Sequence, residues 1–198
     1  NGGGISNREN LTLSNSTVSG NSADFGSGGG INNYGTATVT DSTVSYNSAD
    51  DGGGINNYGT ATVTNSTVSY NSADDGGGIN NIFGTATVTN STVSYNSAFF
   101  GGGINNDGTA TVTNSTVSYN SAEYGGGIDN RGTATVTNST VSYNSSAYYG
   151  GGINNNGTAT VTNSTVSYNS AYFGSGGGIS NIFGTATVTN STVSYNSA

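Results

Sequence analysis

Residues 52–75 read GGGINNYGTATVTNSTVSYNSADD. At their centre, Thr60-Ala61-Thr62-Val63-Thr64 alternates strictly between hydroxyl and small apolar side chains. That alternation puts Ala61 and Val63 on one face and three Thr on the other, as in a half-buried strand. After Asn65-Ser66, the run Thr67-Val68-Ser69 alternates again, and Gly53 to Asn57 offer a third short extended segment around Ile55. No apolar positions recur at helical spacing, and Gly, Thr and Asn at this density would not hold a helix.

The same unit recurs along the whole chain. Gly-Gly-Gly-Ile ends at Ile5, Ile31, Ile55, Ile79, Ile104, Ile128, Ile153 and Ile179, so a 24-residue period carries insertions of one or two residues. The insertions fall at two points only. One lies before the glycines (Gly26-Ser27, Gly174-Ser175 and an extra Ser near Ser146). The other follows the Asn pair, where Ile82-Phe83 and Ile182-Phe183 replace a single residue. Extra residues confined to fixed points mark loops on a stacked repeat.

Three short strands per period, each too poor in apolar residues to fold alone, predict one coil of an all-β parallel solenoid. The prediction is a single array over residues 1–198, with about eight coils stacked roughly 4.8 Å apart into a rod roughly 35–40 Å long. The expected interior is a column of Ile55, Ala61, Val63, Val68 and Ala73 with their equivalents, Leu11 and Leu13 taking the Ala and Val places in the first coil. The chain starts inside a glycine run and stops in ordinary repeat letters. The expectation is therefore either a segment of a longer array or a subunit that stacks end to end.

Composition narrows the chemistry. Gly, Asn, Ser and Thr make up 125 of 198 residues, and there is no Cys, His, Lys, Pro, Met or Trp. A disulfide framework, a thiolate metal site, a His-ligated zinc and a Ser-His-Asp triad are excluded. Two Arg at a net charge of −8 argue against nucleic acid or an anionic membrane as partner. No apolar run has the length of a membrane-spanning helix. Paired carboxylates of the kind found in polysaccharide-cleaving β-helices generally work beside Lys, Arg or His, and Arg8 and Arg131 stand isolated in the sequence. The reading is of a non-enzymatic protein.

Gly-Gly-Gly-Ile in each unit and Val-Ser-Tyr-Asn in all but the first, which has Val-Ser-Gly-Asn, resemble the GGA[ILV] and FxxN repeats of the polymorphic outer membrane proteins, and more widely those of bacterial autotransporter-type and giant cell-surface β-helix proteins. Gly stands here for Ala in the first motif and Val for Phe in the second. The resemblance covers essentially every coil. It implies a right-handed parallel β-helix, exported to the cell surface or beyond, and used in adhesion or as a structural stalk.

Four sets of residues are candidate functional positions. Asn21, Asn47, Asn71, Asn96, Asn120, Asn144, Asn169 and Asn196 recur in every unit, as do Asn57 and its equivalents from Asn7 to Asn181. Stacked amides both donate and accept, and Asn tolerates a left-handed corner, so these read as a ladder or as corners. Asp50, Asp51, Asp74 and Asp75 share one loop in consecutive coils, with Asp24 a coil earlier. They read as a Ca²⁺ site or as a solvated acidic patch.

The third set is a hydroxyl lattice: Thr36/Thr38/Thr40, Thr60/Thr62/Thr64, Thr85/Thr87/Thr89, Thr109/Thr111/Thr113, Thr133/Thr135/Thr137, Thr158/Thr160/Thr162 and Thr185/Thr187/Thr189. All are expected to point outward as an exposed face. Rows about 4.8 Å apart, with Thr about 6.7 Å apart along each strand, resemble the TxT faces of insect antifreeze β-helices. The bland reading is that Thr is a good strand residue that keeps a sheet soluble.

The fourth set is aromatic. Tyr46, Tyr70, Tyr95, Tyr119, Tyr143, Tyr168 and Tyr195 form a column that Gly20 alone interrupts. Phe25, Phe99, Phe100, Tyr124, Tyr148, Tyr149, Tyr172 and Phe173 gather in the loop before the glycines. Exposed aromatics suit a glycan, a cell-surface ligand or a lateral contact with another rod. Asn-Ser-Thr at Asn15, Asn65, Asn90, Asn114, Asn138, Asn163 and Asn190 matches the N-glycosylation acceptor, although the same letters build a turn. Taken together, the residues predict an extracellular or cell-surface rod, stalk or filament that self-associates. An ice-binding solenoid and a Ca²⁺-dependent adhesin are the alternatives.

Overall fold

The structure is a computed structural model that describes residues 2–198. It is all-β: eight coils of three short strands, every pairing parallel, stacked into a solenoid. In the third coil the strands are Ile55–Asn57, Thr60–Thr64 and Thr67–Ser69. Each pairs with its equivalent one coil before and one coil after, so three eight-stranded sheets run the length of the rod. We call them the isoleucine, threonine and valine sheets. Pairing is residue for residue: Thr60 meets Thr36 and Thr85, Val63 meets Val39 and Val88, and Ile55 meets Ile31 and Ile79. Identical units dictate this register, because a slip by one residue would turn every Val outward.

The corners follow from backbone geometry. Between the threonine and valine sheets the chain turns on a residue of positive φ, Asn65 (φ 50°) and its equivalents, with Asp41 taking the place once. It turns again after the valine sheet on Tyr70 (φ 57°) and before the isoleucine sheet on Gly76 (φ 63°). The left-handed corner residues are thus Asn65, Tyr70 and Gly76; they are not Asn57 and Asn71, for which that role was one of the expectations.

The third glycine of each run serves close approach. A Cβ on Gly54 would lie 2.5 Å from the Gly78 carbonyl oxygen, 3.0 Å from Asn71 Nδ2 and 3.1 Å from a Val68 methyl. The next coil's backbone occupies the space that a side chain here would need.

Ile55, Ala61, Val63 and Val68 and their equivalents fill the interior and are essentially inaccessible through the middle coils. Leu11 and Leu13 pair in register with Ala37 and Val39 and pack against the same core. Ala73 departs from the expectation. It is half-buried, and of its column only Ala23, Ala122 and Ala171 are buried. The fourth side of the coil is also not a continuous sheet. Its pairing is confined to a two-stranded piece (Ser22–Ser27 with Ser48–Asp51), a three-stranded piece (Ser121–Tyr124, Ser145–Tyr149, Ser170–Ala171) and single bridges. The inserted Gly26-Ser27 and Ser146 fall where the register shifts.

Candidate functional site

Side chains of one kind stack along the rod in files, and the files are the functional surfaces available. The first file is internal. Asn71 donates from Nδ2 to Asn96 Oδ1 and to the Val44 carbonyl, both at 3.0 Å, and its backbone N–H donates to the same Asn96 oxygen. The pattern repeats from Asn21 to Asn196. In the middle coils both amide hydrogens and the oxygen are satisfied while the residue is about 1% exposed, the condition for burying a polar group without loss.

A second internal file runs through Asn57, whose Nδ2 donates to Asn81 Oδ1 at 2.8 Å and to the Gly59 and Thr85 carbonyls. Serine forms a third at the corner beyond the threonine sheet. Ser66 N–H donates to Ser91 Oγ at 3.0 Å, and Ser66 Oγ donates to the Thr64 carbonyl at 2.7 Å.

A fourth file was not legible as such in the sequence. By alternation Asn56 should face outward, yet it is fully buried. The loop ending at Gly52 folds back across the isoleucine sheet and its backbone packs on Asn56, so closely that a Cβ on Gly52 would sit 2.6 Å from Asn56 Cα. Here the amides point the other way along the rod: Asn56 donates to Asn32, Asn80 to Asn56 and Asn105 to Asn80, at 3.0–3.2 Å.

Asp129 breaks this file. It accepts from Asn154 at 2.7 Å but has no N–H to give to Asn105, whose buried Oδ1 is left without a donor. Asp129 Oδ2 faces Arg131 Nη2 at 2.9 Å, and Arg131 Nη1 stands 3.6 Å from Asp107. The guanidinium also lies over the Phe100 ring, 4.4 Å from its centroid. Burial pushes the Asp129 carboxyl up from 3.8 to about 6, against the pull of Arg131 and of the Asn154 hydrogen bond. Arg131 is therefore not isolated. The signal was the period itself, since Asp107 occupies the Arg131 position one coil earlier.

The acidic loops are partly brought together. Asp51 and Asp75 are bridge partners in adjacent coils, and Asp51 Oδ2 accepts from Ser27 Oγ at 2.9 Å. Burial first, then the Asp51 charge, raises the Asp75 carboxyl above its ordinary value. Among the described residues no three acidic side chains converge as a metal-ligand group.

The threonine sheet presents seven in-register rows of three Thr with Ala and Val on the opposite face. No charged residue falls within these rows. The expectation of a uniformly exposed face is corrected, however. From coil two to coil seven only the first Thr of each row is exposed: Thr36, Thr60, Thr85, Thr109, Thr133 and Thr158. The middle Thr of each row is half-buried rather than exposed, at Thr38, Thr62, Thr87, Thr111, Thr135 and Thr160. The same holds for the last of each row, at Thr40, Thr64, Thr89, Thr113, Thr137 and Thr162. Each of these has an identical Thr or its first-coil equivalent opposite it in the coils above and below, as the exposed first Thr also has, so position along the strand and not the stack alone separates them.

Coil eight departs from the expectation in another way. Thr185, Thr187 and Thr189 are exposed, but so are Ala186 and Val188 between them. There Thr187 and Thr189 do not form a distinct outer face set against a buried one, because this strand pairs with coil seven alone.

The tyrosine column is continuous from Tyr46 to Tyr195. Neighbouring ring centroids are 4.9–5.0 Å apart and ring planes agree within 3–9°. Ring faces are turned to one another along the rod, so edges and hydroxyls face solvent. The loop aromatics make a less regular chain of contacts through Phe99, Phe100, Tyr124, Tyr148 and Phe173, with Tyr149 6.0 Å from Tyr124. Phe25 stands almost wholly exposed.

The fold and these files define a parallel β-solenoid repeat protein. No protein-family model, no curated protein and no solved structure matches the chain.

Proposed function

We propose that this chain is a non-catalytic structural module of an extracellular or cell-surface rod, with continuous stacking as its mechanism. The observation that supports this reading is the unbroken one-to-one register of three sheets across eight coils. Such a ladder transmits load along backbone hydrogen bonds, and each coil depends only on its neighbours. The variable fourth side and the loops after the Asn pair are free to differ without disturbing the stack. The location rests on the resemblance to exported surface repeats. Electron microscopy together with small-angle scattering tests the reading. The expected particle is a rod whose length falls by about 10 Å when the two coils of residues 101–149 are deleted. A compact particle, or a deletion that leaves length unchanged, would sink it.

The uncharged, in-register Thr lattice favours a second reading, ice binding through the threonine sheet. It predicts thermal hysteresis in the wild type that is abolished by Thr111→Lys. Wild-type protein without thermal hysteresis would dispose of it.

A further inference from the structure

We propose that the tyrosine column is a lateral docking edge for a second copy of this chain, two rods packing side by side along it. The proposal deepens the reading of the chain as a structural rod and rests on it.

The first argument is backbone conformation. Each Tyr of the column sits at a φ of 54–57°, a left-handed conformation that side chains other than Gly, Asn and Asp adopt at a cost. The first coil makes the same corner with Gly20 at φ 67°. The turn itself therefore needs no ring, and Gly would make it with less strain. Strain retained in seven consecutive coils points to a use for the side chain.

Charge supplies the second argument. From Ser66 to Ala73 and in every equivalent stretch there is no charged residue. The acidic groups lie in the loops before the glycines, in the isoleucine sheet at Asp129, in the turn after that sheet at Glu9 and Asp107 and, once, at Asp41. At a net charge of −8, two like rods repel over most of their surfaces and least along this corner.

Pitch and area supply the third. Because the ring faces are occupied by their neighbours, a partner must meet a row of ring edges and phenol hydroxyls spaced 4.9–5.0 Å apart. A second copy has the same pitch by construction, so every hydroxyl meets an equivalent one, and each phenol both donates and accepts. The five inner rings are 47–48% exposed and the two end rings more so. At about 100 Å² per ring, the column offers roughly 700 Å² per rod, close to the ~800 Å² per partner of a standard interface.

Sedimentation and the scattering cross-section of the chain, in low and high salt, test this. The wild type should form species of two or more rods with an enlarged cross-section, and more of them as salt screens the repulsion. The triple variant Tyr95→Gly/Tyr119→Gly/Tyr143→Gly, which copies the first coil's corner, should associate at least about tenfold more weakly with its β circular dichroism intact. Thr111→Lys, on another face, should associate like wild type. If the Gly variant loses its fold, the same positions changed to Asn, which also accepts the left-handed corner, replace it. The proposal is overturned by wild-type rods that stay single in both salts, by a Gly or Asn variant that associates as wild type does, or by mass that grows through lengthening at constant cross-section. The last result leaves the rod reading standing, whereas a particle that is not elongated removes both.

Discussion

At the scale of single residues, the informative positions are those where one coil departs from the others. Asp129 stands where the other coils carry Asn, Ser6 and Ser180 at the two ends apart, and it leaves Asn105 Oδ1 without a donor. Its carboxyl is raised from 3.8 to about 6, so between these values the folded chain holds a proton that the unfolded chain has released. This contribution to stability is present in full below about pH 4 and disappears as pH rises through 6, a change of about 2–3 kcal/mol. Asp75, also raised, adds in the same direction. Asp129→Asn should restore the file and flatten this slope, leaving the part due to Asp75. At pH 7 the variant should be about 1 kcal/mol more stable, since Arg131 keeps Asp107 and solvent. Urea unfolding of both proteins from pH 4 to pH 8 measures the difference, and parallel slopes would refute the assignment to Asp129. The Asp–Arg spacing of two residues and the 24-residue step to Asp107 were visible in the sequence. Burial was not, because it depends on a loop folding over the sheet.

At the scale of elements, strands this short hold together because their buried polar side chains bond from coil to coil. Asn120 illustrates the stakes. Its amide donates to Asn144 Oδ1 and the Val93 carbonyl, and its oxygen accepts from the side chain and backbone of Asn96. Asn120→Ala strands partners on both sides and should destabilise by about 2–4 kcal/mol, with amide exchange speeding up first in Asn96 and its coil. A loss below half a kcal/mol would mean that the file contributes little. Val112 tests the apolar file in the same way. It is 1% exposed, and Val112→Asp buries an unpaired charge, which should open the central coils. Unchanged melting and hydrogen exchange would contradict its inward placement. The periodicity of the sequence was enough to place the strands, the Val and Ile files and the repeated Asn. It led to a wrong expectation for Ala73, whose side of the coil pairs only in patches. Alternation also gave the direction of Thr111 and Thr113 but not their half-burial, which sets them apart from the exposed Thr109 of the same strand.

At the scale of the whole molecule, contacts are between adjacent coils, so stability should be close to a sum over coils and their interfaces. Deleting residues 101–149 removes two of eight coils and brings coil four against coil seven, whose register letters match. The variant should keep its β circular dichroism while its urea m-value falls by about a quarter, in proportion to the surface exposed on unfolding. Loss of cooperative folding would show that the coils are not interchangeable. The charge balance acts at the same scale: a rod of net charge −8 should associate more readily as salt rises.

The sequence by itself determined the coil, its period, the parallel register and the inward Ile and Val, because near-identical units stacked one on another leave only one register that keeps every apolar residue inside. Only the tertiary structure decided which Asn are buried, which Thr stay open, which residues take the left-handed corners, that the tyrosine faces are turned to one another, and that Arg131 closes on Asp129. Those outcomes depend on how a loop lies over a sheet and how the side chains of one coil pack against those of the next, and neither is written in the letters of a single unit.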